Sequence, residues 1–281
     1  MHQSLCCVRR RILCFLLCIT VTYLTVATGW YSLYSHEQLR ISSISIFEKE
    51  LLSSHNMNNL SERKILFVES SGKVCLTRRQ LCSVESAALH NPNITVIVFI
   101  STKPEFKRFP SSVPPPKDKF RDCDSTLRIL QLPNIRMVVD TMSNFLKGTD
   151  LYDWVESGVF YTSEYSMFHA GDVLRAALLK RHGGIFLDLD CMVLKPIGHL
   201  MNTVGKNENN WLDAGVVAFE RDHPFIDHLI KRIIANFKAD LHVSVGPEAV
   251  TQAAKGLCGI TRFDPGKYLC HNNSQLTIQP V

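Results

Sequence analysis

None of the 10 cysteines in this chain of 281 residues forms a Cys-x-x-Cys pair, so the close ligand spacing of structural zinc sites is missing. No internal repeat is visible. No basic stripe with interleaved aromatics occurs, so nucleic acid is not an expected partner. Charge of one sign is scarce too: the formal net charge is +5, which scattered solvated lysines explain as well as an anionic ligand or membrane surface does. The length suits one domain or two small ones.

A local absence is more informative. Residues 12–29 carry no charge, and Arg9, Arg10 and Arg11 stand immediately before them. Roughly 18 residues make about 27 Å of helix, enough for a thin bilayer. The arginines put the N-terminus on the cytoplasmic side and the remainder in the lumen. The rival is a cleaved signal peptide. Its apolar region usually runs about 7–15 residues, and Val26-Ala27-Thr28 matches a cleavage site poorly. The expected organisation is a cytoplasmic tail at 1–11, a transmembrane signal anchor at 12–29, a Ser- and Asn-rich stem at 30–62 and a luminal domain at 63–281. Within the stem, 41–52 reads as a short amphipathic helix.

Cys6, Cys7, Cys14 and Cys18 lie in or beside the anchor, leaving Cys75, Cys82, Cys123, Cys191, Cys258 and Cys270 in the luminal part. An oxidising lumen permits disulfides there; Cys75 with Cys82 and Cys258 with Cys270 are the plausible local pairings. Sequons stand at Asn59, Asn93 and Asn272.

Short apolar runs at 65–68, 94–100 and 135–139 read as strands. Residues 81–91 read as a helix, and 127–132 as a short helix or extended run. The stretch 103–119 holds five prolines and reads as an exposed loop. This alternation predicts an α/β fold with a mainly parallel sheet. The clearest helix is 170–182, with Val173, Leu174, Ala177 and Leu178 in one stripe and Gly183-Gly184 to stop it. A strand at 185–187 then runs straight into Asp188-Leu189-Asp190.

In open α/β sheets ligands bind beyond the carboxyl ends of the strands. Two carboxylates at alternate positions there are costly without a cation. Hard oxygen ligands suit Mg²⁺ or Mn²⁺ bridging two phosphates, which would neutralise charge on a departing diphosphate. The bland alternative is a pair of turn aspartates. An aspartyl-phosphate phosphatase also carries Asp-x-Asp, but it needs a later acidic pair, and no Asp-Asp or Glu-Asp follows Asp190.

Asp172-Val-Leu-Arg175, followed by Gly183-Gly184-Ile-Phe-Leu-Asp188-Leu-Asp190 and Leu194-Lys195, resembles the Asp-x-x-Arg…Gly-Gly-x-Tyr-x-Asp-x-Asp signature of the α-1,4-glycosyltransferases. The likeness extends through Phe67-Val-Glu69, Cys82-Ser-Val-Glu85-Ser86, Asp153-Trp154, His223-Pro224-Phe225 and Gly246-Pro247, all similar to the galactosyltransferase branch. It implies a GT-A (Rossmann-like) nucleotide-sugar-binding domain behind an N-terminal transmembrane helix, in a single-pass type II protein of the Golgi membrane. It further implies a UDP-sugar donor, Mn²⁺, a glycolipid or glycan acceptor, and retention of the anomeric configuration. Asp188 and Asp190 would hold the metal. Arg175 would contact the nucleotide-sugar or form a buried ion pair with Asp172 or Asp188, with Asp172 and Gly184 beside the donor. Asp213, read as lying in a turn at 212–215, is a candidate nucleophile or sugar-binding group. His242 and His271 are candidates for a third metal ligand. Relatives continue past the point matching Val281, so the alternative is a non-catalytic, membrane-tethered UDP-binding or partner-stabilising relative.

Overall fold

The computed structural model describes residues 63–101, 123–207 and 211–280. The apolar run 12–29, the stem helix 41–52 and the proline-rich stretch 103–119 lie outside the described residues. Among the described residues no helix is long and apolar enough to cross a membrane.

The strands are β1 (Lys64–Glu69), β2 (Thr95–Ser101), β3 (Ile135–Asp140), β4 (Gly184–Leu187), β5 (Thr203–Lys206), β6 (Leu212–Phe219), β7 (Gly266–Leu269) and β8 (Gln275–Pro280). The helices are α1 (Arg78–His90), α2 (Asp124–Ile129), α3 (Met142–Leu146), α4 (Asp150–Glu156), α5 (Ser166–His182), α6 (Pro224–Asn236) and α7 (Pro247–Cys258). One eight-stranded sheet has the order β3-β2-β1-β4-β6-β5-β8-β7. Strands β3, β2, β1 and β4 are parallel, β6 runs antiparallel to both β4 and β5, and β7 is antiparallel to β8. The expected mainly parallel sheet is therefore mixed.

The β-branched, apolar run of β2 is buried on both faces, as a strand covered by helices requires. Leu66, Ile97, Phe99 and Phe186 share a core with Val173, Leu174, Ala177 and Leu178 of α5 and with the apolar faces of α6 and α7. On the other side, α1 packs along β2. Its start is fixed by a capping box in which Thr77 and Gln80 each satisfy the other's backbone N–H.

Two expectations are corrected. Cys75 pairs with Cys123, leaving Cys82 free, whereas Cys258–Cys270 forms as expected. Asp213 lies inside β6 rather than in a turn. Of the two readings of 127–132 the helix is the one found, as the end of α2, which stops at Ile129. The two described sequon residues, Asn93 and Asn272, are exposed.

Helix α5 ends at Gly183, whose φ is 59°. A Cβ there would sit 2.5 Å from the backbone nitrogen of Arg221. Gly183→Ala is expected to cost about 1–3 kcal/mol, because both the positive φ and the backbone contact oppose a side chain. Thermal unfolding of the variant checks this. Beside it, His182 stacks on Phe99. Burial, then Arg181, Lys64 and Arg221, hold its pKa down at about 4 against the usual 6.5. The neutral ring therefore stabilises the fold above pH 6.5, and that contribution is lost as pH falls toward 4. His182→Phe keeps the stacking and is expected to flatten the fall of the unfolding midpoint across that window.

Candidate active site

Asp188 stands one residue past β4, at the carboxyl end of the parallel half of the sheet. Its N–H donates to the Gly215 carbonyl at 2.9 Å. Because β6 runs antiparallel to β4, its beginning lies at the end of β4, and Asp213 arrives at the same edge as Asp188. Gly215 sits between the two. A Cβ on it would lie 3.0 Å from Asp188 Oδ2 and 3.5 Å from Asp213 Oδ1, so glycine keeps that space open. The Gly215 N–H donates to Asp213 Oδ1 at 2.8 Å. Asp190 is exposed at the mouth. The Cys191 thiol next to it is pushed up to about 11 by burial, with Asp188, Asp190 and Asp213 adding to the shift. Three carboxylates thus act on one small volume.

Arg175 comes up from α5 beneath them. It pairs with Asp172 on its own helix, and its Nη2 donates to Asp188 Oδ1 at 2.9 Å. Its side chain is only 6 % exposed, whereas that of Asp188 is 43 % exposed. The guanidinium lies over the Phe186 ring, 4.6 Å from its centroid. Burial opposes the Arg175 charge, but Asp188 and Asp172 more than offset it, so its pKa is raised. Burial also raises Asp172, with Arg175 working against the shift. A Cβ on Gly246, just before α7, would lie 2.7 Å from Asp172 Oδ2. The pair is thereby clamped between α5 and the head of α7.

These positions sort the expected site residues. Asp188, Asp190 and Asp213 come together, with Arg175 and Asp172 holding the first of them from below. Gly184 does not join them. It stands at the opposite end of β4, where a Cβ would meet the Lys64 carbonyl at 2.7 Å; it serves packing between strands, not the donor. His242 packs edge-to-face against Tyr165 and Phe168, and His271 lies beyond the far end of α7 near Gly259. Among the described residues no group of three or more His, Cys, Asp or Glu is arranged to hold a metal ion.

Two residues that pattern alone did not single out shape the site. Buried His169 hydrogen-bonds with Ser163 and with the carbonyls of Leu241 and His242, tying the first turn of α5 to that loop. A lone histidine in an apolar stripe gives no sequence signal for this. Gly215 is the other, and its signal was the Gly following two residues after a candidate aspartate.

The cation that the carboxylates invite can be tested against the donors present. Divalent Mg²⁺-type ions are commonly held by one or two carboxylates together with phosphate oxygens rather than by an all-protein cage. Asp190, exposed, and Asp188, with Oδ1 engaged by Arg175 and Oδ2 toward Gly215, meet that description. The donor set fits.

Comparison with known proteins agrees. Residues 77–212 match the family model for a glycosyltransferase sugar-binding region containing the DXD motif, and residues 218–281 match the alpha 1,4-glycosyltransferase conserved region. The chain belongs to the α-1,4-glycosyltransferase family. The lactosylceramide 4-alpha-galactosyltransferase of Mus musculus is 30 % identical over 206 residues, covering 71 % of this chain and 53 % of that protein. The alpha-1,4-N-acetylglucosaminyltransferase of Homo sapiens is 26 % identical over 251 residues, covering 88 % of this chain and 69 % of that one. The chain spans about half the length of the galactosyltransferases it matches. Among solved structures, the PaToxG glycosyltransferase superposes with a TM-score of 0.51 at 17 % identity, over 77 % of each chain, a likeness of fold alone.

Proposed function

We propose that this chain is a UDP-sugar-dependent hexosyltransferase of GT-A type that builds α-1,4 linkages with retention of configuration. Galactose or an N-acetylhexosamine would pass to the terminus of a glycolipid or glycan, as in lactosylceramide 4-α-galactosyltransferases. The expected setting is the Golgi membrane, with the domain luminal behind the 12–29 anchor. The observation that carries the reading is the meeting of Asp188 and Asp213 across Gly215 at one edge of the sheet, with Asp188 fixed by Arg175 and Asp190 exposed two residues on.

Mn²⁺, held by Asp190 and the free oxygen of Asp188, would supply positive charge to the leaving diphosphate. The protein's own contribution is orientation. Arg175 fixes the Asp188 carboxylate through Oδ1 and leaves its other oxygen available. Gly215 leaves room for a ligand to approach the two aspartates. Retention requires a nucleophile on the face opposite the acceptor or a same-face exchange. Asp213 is the carboxylate placed to act as that nucleophile, or to accept a hydrogen bond from a donor-sugar hydroxyl.

The test is donor hydrolysis by the full chain in detergent, with UDP-galactose, UDP-N-acetylgalactosamine and UDP-N-acetylglucosamine, with and without Mn²⁺. Metal-dependent UDP release from one donor supports the enzyme and identifies its sugar. Metal-dependent UDP binding without release from any donor would leave a non-catalytic relative, and no UDP binding at all would overturn both.

A further inference from the structure

After Asp190 the chain runs outside the sheet until β5 begins at Thr203. Residues 191–198 run as an extended strip along the outside of α1. The Cys191 carbonyl accepts from Ser83 Oγ, the Val193 N–H donates to Ser86 Oγ at 3.1 Å, and the Ile197 N–H donates to Asn91 Oδ1 at 2.9 Å. Val193 points inward and is buried. Met192 and Leu194, on the other side of the strip, are 62 % and 77 % exposed. Alongside, Arg78, Cys82, Glu85 and Leu89 follow one helical stripe of α1, and all four are exposed, as is Arg79. Leu89 is 60 % exposed, one helical turn (i+3) from the Ser86 that holds the strip at Val193, so α1 and the strip together present three large apolar side chains to water. The charged residues on that face are Arg78, Arg79 and Lys195 against Glu85, an excess of cations.

The strip ends where the chain enters the domain. Arg63, the first described residue, donates to the Gly198 carbonyl. The polypeptide reaches Arg63 from residues 1–62, whose sequence contains the uncharged run 12–29 and a polar stretch of 30–62 after it. The face therefore stretches from the point where that tether joins the domain to the mouth of the site at Asp190.

We infer that this face, Leu89 with Met192 and Leu194 among Arg78, Arg79 and Lys195, rests on a lipid bilayer surface. Exposed apolar side chains interleaved with Lys and Arg are what interfacial membrane contacts are built from, the former entering the acyl boundary and the latter meeting anionic headgroups. A soluble protein partner would bring aromatic anchors into a concave pocket, whereas the apolar groups here are aliphatic side chains exposed on a helix and on the strip bound to it. Docking here would set the carboxylates at the lipid–water boundary, so an acceptor rising from the bilayer would meet them without leaving it. The docking goes beyond the transfer reaction and stands independently of which donor is used.

The test uses the full chain with vesicles of phosphatidylcholine and phosphatidylserine doped with a diazirine-bearing phospholipid, with crosslinked peptides identified by mass spectrometry. Peptides containing Leu89 and Met192–Leu194 should carry lipid several-fold above peptides containing Leu269, which is 72 % exposed on β7 and serves as an apolar control. The Met192→Glu, Leu194→Glu double variant should lower the Leu89 crosslink by about tenfold, as loss of two inserted apolar side chains predicts. Both positions face water, so an unchanged unfolding midpoint will show that the fold survives. Crosslinks confined to residues 12–29, equal at Leu269, or undiminished at Leu89 in the double variant would overturn the docking. Failure of the transferase reading would appear separately, as absence of UDP release, and would leave the crosslinks unaffected.

Discussion

Arg175→Met is expected to lower the unfolding midpoint by on the order of 10 °C and to abolish donor hydrolysis. Removing one partner of a buried pair leaves the other charge uncompensated, at about 3–5 kcal/mol, and a domain of this size loses roughly 2–4 °C per kcal/mol. The stranded group is Asp172, already pushed up by burial with Arg175 as its main counterweight. Arg175→Lys is expected to recover little, because one ammonium cannot reach both Asp172 and Asp188 as the guanidinium does. Arg175→Met with Asp172→Leu is the sharper experiment. Replacing the pair by apolar groups should restore much of the midpoint, yet activity should stay absent because Asp188 has lost its clamp. Recovery of both together would show that Arg175 serves only the fold. Differential scanning calorimetry and UDP release on the same preparations decide it.

Asp190→Ala should give the reverse pattern. The side chain is exposed and forms no ion pair among the described residues, so the midpoint should move by no more than about 2 °C, the usual range for surface substitutions. Metal-dependent UDP release should fall by about 100-fold or more, since a cation stabilising a departing diphosphate contributes several kcal/mol to the barrier. Binding of Mn²⁺ with UDP, followed by calorimetry, should weaken in parallel. If release persists in Asp190→Ala at the unaltered rate, the Asp-x-Asp pair is a strand cap and the proposed chemistry fails.

The difference between these variants follows from how far each residue could be read in the chain. The place of Asp188 and Asp190 at a strand end was legible because the apolar run 185–187 leads straight into them. The strands were legible where β-branched runs are buried on both faces, as in β2. Asp213 was misplaced for a physical reason: Asp-Ala-Gly carries turn chemistry. The structure even keeps the Gly215 N–H to Asp213 Oδ1 bond that such chemistry predicts, but pairing of Leu212 with Lys206 of β5 and the Asp188 N–H bond to the Gly215 carbonyl draw the segment into a strand. Arg175 was left between two roles, since periodicity places it on a helix face without saying what stands above that face. It meets both aspartates. Cys75 was matched to its nearest cysteine, whereas the fold brings it to Cys123 across α1 and β2. Gly184 was drawn into the donor site by its nearness in sequence to Asp188, although a strand separates them by its whole length.

That strand also sets when the site can come into being. β4 meets β1 through Ile65↔Ile185 and Leu66↔Phe186, pairs whose members lie far apart in the chain, while β1 and β2 can join early through a single helical crossover. Long-range pairing is slow because loop closure must precede the contacts that reward it. Refolding should accordingly build the β1–β2–β3 half first, and the two carboxylates should reach one another only when β6 docks on β4. An intermediate stalled before that step would leave the apolar faces that β6, α6 and α7 cover exposed to water, and would lack the site altogether.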